Sequence, residues 1–399
     1  MDGTNTKATE ERQVARLGVL AWAHFMNDGC INYLPGILPL LLEHLNVPLA
    51  LAGSLILALQ GLGSLLQPVA GWWADRRGGR GFIIGGLALS VLGGSVLGLA
   101  PGYWALIAIL VFAGLGNAAF HPQALAGARQ IAAGRRAGLT LSVFLVGGEL
   151  GRSLWPTLAG LVVAWLGLHG LWIVAVPGAL TVLLLARTAP CLPARPARPL
   201  GDAFRGQRAA VWALVGFVGL RALVSYGVST FVPLLWHAKG GSLLGGASLI
   251  TVMLGVGIAG NLAGGALADR IGRRPVLVGS SVLSGLFLAL FLVASGAWLW
   301  LLLGLLGMAS FATAAVTMLV GQDLFPHHHS MASGLALGVG NAAGAAAVFL
   351  LGFVAGRFGL VAALWWIVAL AFLGVPLALA LPERPARRIG DGAPGSPVV

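Results

Sequence analysis

Apolar residues in this chain come in long blocks separated by short polar gaps, with neither strict alternation nor a single helical stripe. About 20 apolar residues cross a bilayer as a helix. On that measure the pattern predicts twelve membrane helices, at roughly 14–42, 49–73, 81–100, 103–126, 138–163, 168–187, 210–237, 246–268, 276–296, 298–322, 331–356 and 360–381.

The gaps differ in charge. One side holds Lys7, Arg12 and Arg16, then Arg76, Arg77 and Arg80, then Arg129, Arg135 and Arg136. It also holds Arg187, Arg195, Arg198, Arg205 and Arg208, then Arg270, Arg273 and Arg274, and last Arg384, Arg387 and Arg388. That is 20 of the 24 basic residues; the other side has only Lys239 and Arg357. Basic loops remain cytoplasmic, so both termini are expected there, in the inner (plasma) membrane.

Composition agrees. The chain is 58% hydrophobic and 9% charged, where a soluble chain has about 25% charged residues. The net charge of +12 follows the gaps and forms no patch, so no nucleic-acid partner is expected. The expected partners are the lipid bilayer, a small-molecule substrate and protons, and the expected state is a monomer. Met1–Arg12 is polar and of mixed charge, so no cleavable signal peptide is read there. Cys30 and Cys191 are not placed for a disulfide, and no metal-ligand spacing is seen. No metal and no cofactor are expected. His327-His328-His329 reads as a solvated turn before a metal site, and no P-loop points to ATP.

The chain also repeats. Gly71-Trp72-Trp73-Ala74-Asp75-Arg76-Arg77-Gly78 returns 194 residues later as Gly265-Ala266-Leu267-Ala268-Asp269-Arg270-Ile271-Gly272. Pro39-Leu40-Leu41 returns at the same offset as Pro233-Leu234-Leu235. Gly71 and Gly265 leave room for a neighbouring helix, and Asp75 and Asp269 can face a helix N-terminus. One such turn would be as readily a topological stop; two at half-chain spacing favour a duplicated device. The organisation expected is an N-terminal six-helix half at 1–187, a Pro- and Arg-rich cytoplasmic linker at 188–209, a C-terminal six-helix half at 210–382 and a disordered tail at 383–399. Two similar membrane halves point to a transporter with its site between them near the midplane.

The paired Gly-x-x-x-Asp-Arg-x-Gly turns resemble the signature of the major facilitator superfamily. Several stretches further resemble the fosmidomycin resistance protein family. They are His24-Phe25-Met26-Asn27-Asp28, Ser64-Leu65-Leu66-Gln67-Pro68-Val69, Phe120-His121-Pro122, Val146-Gly147-Gly148, Gly321-Gln322-Asp323 and Ala332-Ser333-Gly334. The resemblance implies an all-α fold of twelve membrane helices in two pseudo-symmetric halves and a proton-driven exporter of drugs or small metabolites. It also implies that Asp75 faces the start of the eleventh helix. The chain departs from the family at Gln123, where Glu is usual, and at Glu149 and Arg152, where Asn and Ser are usual.

Ionisable groups at a helix centre cost about 2.5–3.5 kcal/mol or more, so each needs a reason. In the first helix His24, Asn27, Asp28 and Asn32 fall within an arc of about 140°, and Asp28 lies about 21 Å from the helix start. An acid at that depth is neutral or charged according to water and partners, which suits a proton carrier; a structural hydrogen bond is the alternative. In the fifth helix Glu149 and Arg152 are spaced to pair. Either they lock packing, or Glu149 carries protons and Arg152 holds an anion. Arg221 in the seventh helix sits one position from the repeat counterpart of Asp28, so the two are expected to face one cavity, with Tyr226 further along. In the fourth helix His121 is a candidate relay and Gln123 a candidate cavity residue. The main reading is a proton-coupled antiporter that exports its substrate. The alternative is a proton-coupled importer of a small organic anion. A membrane enzyme lacks a concentrated catalytic constellation.

Overall fold

The computed structural model describes residues 3–131, 137–194, 208–324 and 329–383. Among these the chain is helical, without a strand, and with one isolated bridge between Gly79 and Leu192. Hydrocarbon offers backbone groups no water, so an apolar run satisfies them as a helix.

Twelve segments follow among the described residues. They are α1 (Gly3–Asn32, resumed as Leu34–His44), α2 (Leu49–Arg77), α3 (Gly81–Leu99), α4 (Tyr103–Ile131), α5 (Ala137–Leu166) and α6 (Leu168–Thr188). Then come α7 (Arg208–Ala238), α8 (Leu243–Ile271), α9 (Arg273–Val293), α10 (Trp298–Phe311, resumed as Ala314–Leu324), α11 (His329–Phe358) and α12 (Leu360–Ala380). Among the described residues, ten of these are long and apolar enough to cross a membrane; α1 and α5 do not meet that measure. The reason lies in their polar content. α1 breaks at Tyr33 ahead of Pro35, which has no N–H to continue the ladder. α5 carries Glu149 and Arg152 in mid-helix. These two segments supply most of the polar site.

The packing repeats six helices on. α1 lies along α5, α2 along α4 and α3 along α4; α7 lies along α11, α8 along α10 and α9 along α10. The two sets of six meet mainly along α2–α11 and α5–α8. Small residues make these seams close. A Cβ on Gly338 of α11 would lie 2.6 Å from the Ser64 carbonyl of α2, and one on Gly160 of α5 would lie 3.4 Å from Ala247 of α8. Thr157 and Thr251 share a 2.8 Å hydrogen bond across the α5–α8 seam. His237 and Glu43 join α7 to α1 at 2.8 Å.

The last glycine of each charged turn ends its helix. Gly78 and Gly272 have φ +62° and +93°, which glycine reaches at no steric cost. Their N–H groups close on the Ala74 and Ala268 carbonyls at 2.8 and 3.0 Å. Of the expected linker, 195–207 lies outside the described residues, as do His327, His328 and the tail from 384.

Candidate functional site

The first polar centre lies among α1, α4 and α5. Glycine on α5 makes it possible. A Cβ at Gly147, Gly148 or Gly151 would overlap Ala21, His24 or Phe25, so α5 lies directly on α1. Gly148 leaves the space that the His24 ring fills. The ring stacks on Phe144, and its Nδ1 lies 2.9 Å from the Phe144 carbonyl. Its Nε2 faces Asp28 Oδ1 at 3.5 Å and His121 Nε2 at 3.3 Å. His121 Nε2 is 3.1 Å from the same Asp28 oxygen, and its Nδ1 faces the Asn117 carbonyl at 3.3 Å. Asn27 donates to Asp28 Oδ1 at 3.1 Å and to Asn117 Oδ1 at 2.8 Å. Asn32 donates to the Asp28 carbonyl at 2.8 Å and accepts from Gln60 at 3.3 Å. The sequence suggested no metal ligands, yet the fold gathers His24, Asp28 and His121 with one ligand atom each within 4.8 Å of one another.

The second centre bridges the two sets of helices. Glu149 and Arg152 form the expected pair on α5. Asn261 on α8 donates to the other Glu149 oxygen at 3.5 Å. The Arg152 guanidinium lies 5.0 Å from the Phe311 ring centroid on α10. Arg152 Nε is buried with no partner.

Arg221 does not pair with Asp28, though it stays within electrostatic reach of Glu149 and Arg152. Its Nη2 donates to Asn341 of α11 at 3.3 Å, and the partners of Asp28 are His24, His121 and Asn27. One position of helix register turns a side chain by about 100°, so near-equivalence in the repeat does not bring the two charges face to face. Arg221 Nε is buried without a partner beside a cavity lined by Ser280, Ser281, Ser284 and Ser310. Tyr226, further along α7, is half-buried, and its carbonyl accepts from Thr230 at 2.6 Å.

The charged turns also differ from each other. Gln123 is not with the central polar groups: it is buried and donates to Asp75 at 3.1 Å. Gly71 is tight, its Cβ position 3.2 Å from Pro122, whereas that of Gly265 has 3.7 Å to Ala315. Arg76 stacks on Trp72 at 4.1 Å. Asp269 and Arg270 are exposed. Among the described residues of the second half, Arg273 pairs with Asp323 at 2.5 Å and Arg274 with Glu383 at 3.0 Å. Sequence reasoning passed over Asn117 and Asn341, since a lone amide in a membrane run carries no motif, and read Asn261 only as the repeat counterpart of Gln67.

Ionisable groups buried between helices rather than facing lipid are what a transport path requires. The Major Facilitator Superfamily profile matches residues 20–257 and 217–397. This chain belongs to the major facilitator superfamily. It is therefore a multi-pass membrane transporter and not an enzyme. It is similar to an uncharacterized MFS-type transporter, YfnC, of Bacillus subtilis (strain 168), with 29% identity over 92% of each chain. It is also similar to the fosmidomycin resistance protein of Escherichia coli (strain K12), with 27% identity over 85% of this chain and 86% of that one. Among solved structures, a bacterial homolog of the human lysosomal transporter Spinster, inward-facing and occupied, shares the transporter's fold. Its TM-score is 0.76 at 17% identity, over 91% of this chain and 96% of that one.

Proposed function

We propose that this transporter is a proton-coupled exporter of a small molecule. It sits in the inner membrane as a monomer, both termini cytoplasmic, with six-helix halves at 1–187 and 210–382 joined by 188–209. The observation that carries the proposal is the Glu149–Arg152 pair with Asn261 and Phe311 from the other half around it. Alternating access rocks one half against the other about a midplane site. A carboxylate with partners in both halves changes surroundings in that motion. A carboxylate beside a guanidinium favours its charged form; one left alone in hydrocarbon favours its neutral form. Arg152 shares α5 with Glu149 and moves with it, so what rocking changes is the pull of Phe311 and Asn261 from the other half. Glu149 is the proton carrier in the state where Phe311 draws Arg152 away. A substrate donor group that enters beside Glu149 in that state expels the proton. Asp28 and His121, the other carriers considered, find their partners on α1 and α4, so rocking leaves them unchanged. Similarity to a fosmidomycin resistance protein supports export.

One observation favours a second reading. Arg152 Nε and Arg221 Nε are buried donors without partners. An anionic substrate that took Arg152 from Glu149 would leave the carboxylate to take up a proton, and the two would travel together inward.

Substrate is found by susceptibility screening in an efflux-deficient host, with fosmidomycin first. Proton movement then separates the readings. Export by exchange releases protons when substrate binds, and anion uptake consumes them.

A further inference from the structure

We propose that His24, Asp28 and His121 form a binding site for one divalent transition-metal ion of the zinc type. The site is independent of the direction and cargo of transport.

The first ground is a convergence of acceptors. A carbonyl oxygen can only accept, so His24 Nδ1, 2.9 Å from the Phe144 carbonyl, carries the proton of that ring. The same holds for His121 Nδ1 against the Asn117 carbonyl at 3.3 Å. In neutral rings both Nε2 atoms are then bare lone pairs. They point at each other and at one oxygen of Asp28, with separations of 3.3, 3.5 and 3.1 Å. Three such acceptors this close, in a buried site, are held either by a shared proton or by a metal ion, and size and surroundings favour the ion.

The second ground is size. Zinc binds imidazole nitrogen and carboxylate oxygen at about 2.0–2.1 Å in tetrahedral geometry, which sets its ligand atoms about 3.3–3.4 Å apart. The three observed separations bracket that edge. An ion placed against all three atoms makes bonds of ordinary length without backbone movement.

The third ground is the surrounding shell. Metal-bound histidine typically donates its other ring N–H to a carbonyl or carboxylate, which fixes ring and tautomer. Both rings have that carbonyl here. Asn27, fully buried, donates to the ligating Asp28 oxygen at 3.1 Å and so orients the carboxylate. Two imidazoles and one carboxylate suit zinc, cobalt or nickel better than calcium or magnesium. Tetrahedral coordination leaves a fourth position open. The His121 side chain is the most exposed of the three, at 31%, so water or solute enters from that side. The bound ion would fasten α4 to α1 within the first half.

The test uses the full chain, purified without a polyhistidine tag, stripped with chelator and held in lipid nanodiscs. The variant H327A/H328A/H329A serves as background, to remove the histidine run. Co2+ is followed by its visible absorption and Zn2+ by calorimetry. The expected result is one ion per chain with a tetrahedral Co2+ spectrum. D28N and H121N weaken binding by more than about tenfold, the loss seen even for second-shell changes. H237N, which removes a histidine elsewhere, leaves it unchanged. Zn2+ also raises the melting temperature of the background protein, as a ligand of the folded state must. That rise disappears in D28N while its metal-free melting is retained, which separates lost ligation from lost folding. Absence of binding, or binding in D28N and H121N as tight as in the background protein, overturns the proposal and leaves a proton as the only occupant of the cluster.

Discussion

Glu149 on α5 accepts from Asn261 on α8 at 3.5 Å, so one carboxylate of the first half touches the second. Its other oxygen holds Arg152. The partners of Asp28, by contrast, all lie in the first half. The position of Glu149 makes it sensitive to relative motion of the halves.

The pair itself can be tested first. Removing one member of a buried ion pair leaves an uncompensated charge and typically costs about 3–5 kcal/mol. Here both side chains keep some exposure, 28% and 22%, so a smaller loss is expected. Arg152→Gln lowers the melting temperature, and adding Glu149→Gln to it recovers most of the loss. Equal melting of the single and double variants would show that the charges are not coupled.

Glycine at 148 is set by the His24 ring. A methyl group there overlaps the imidazole, and overpacking a close site costs about 1–3 kcal/mol. Gly148→Ala therefore destabilises the protein in a thermal melt. Gly85→Ala on α3, where a Cβ meets nothing within 4 Å, does not. Equal melting of the two variants would contradict the α1–α5 packing.

Much of this was legible in the sequence. Blocks of apolar residues marked the twelve segments, because backbone in hydrocarbon has few alternatives to a helix. The Glu149–Arg152 pair was readable from its spacing on one helix, since a local ion pair needs no knowledge of the fold. The partnership of His121 with Asp28 was not, because it joins α4 to α1 across 93 positions (121 − 28). Gln123 was misplaced for the same reason: periodicity gives a face, and only packing shows that this face meets Asp75. Arg221 was expected to face Asp28 although it lies one position off the repeat counterpart, and that single position turns it to Asn341.

The first charged turn has a consequence for gating. Asp75 is exposed at the end of α2 and is held by Gln123 of α4. A role in stabilising one transport state predicts that Asp75→Asn slows transport far more than it lowers membrane abundance. Gln123→Leu, which removes the donor, should do the same more weakly. Wild-type transport rates in well-expressed Asp75→Asn would contradict that role.

The proposed topology, with both termini cytoplasmic, rests on the arginine distribution. Lys239, in the turn between α7 and α8, is exposed, whereas Gly241 lies against the Trp236 ring, so position 239 is the better label site. In a Cys191→Ser background, Lys239→Cys should react with a membrane-impermeant maleimide from outside intact cells. Reaction only in inverted vesicles would reverse the assigned orientation.

The most direct test of the coupling account is substrate-induced proton movement in proteoliposomes, recorded for wild type, Glu149→Gln and Asp28→Asn with one substrate. The account predicts proton release on substrate binding in wild type and in Asp28→Asn, and none in Glu149→Gln, which still binds substrate. Unaltered release in Glu149→Gln together with its loss in Asp28→Asn would place the carrier on α1 and contradict the account.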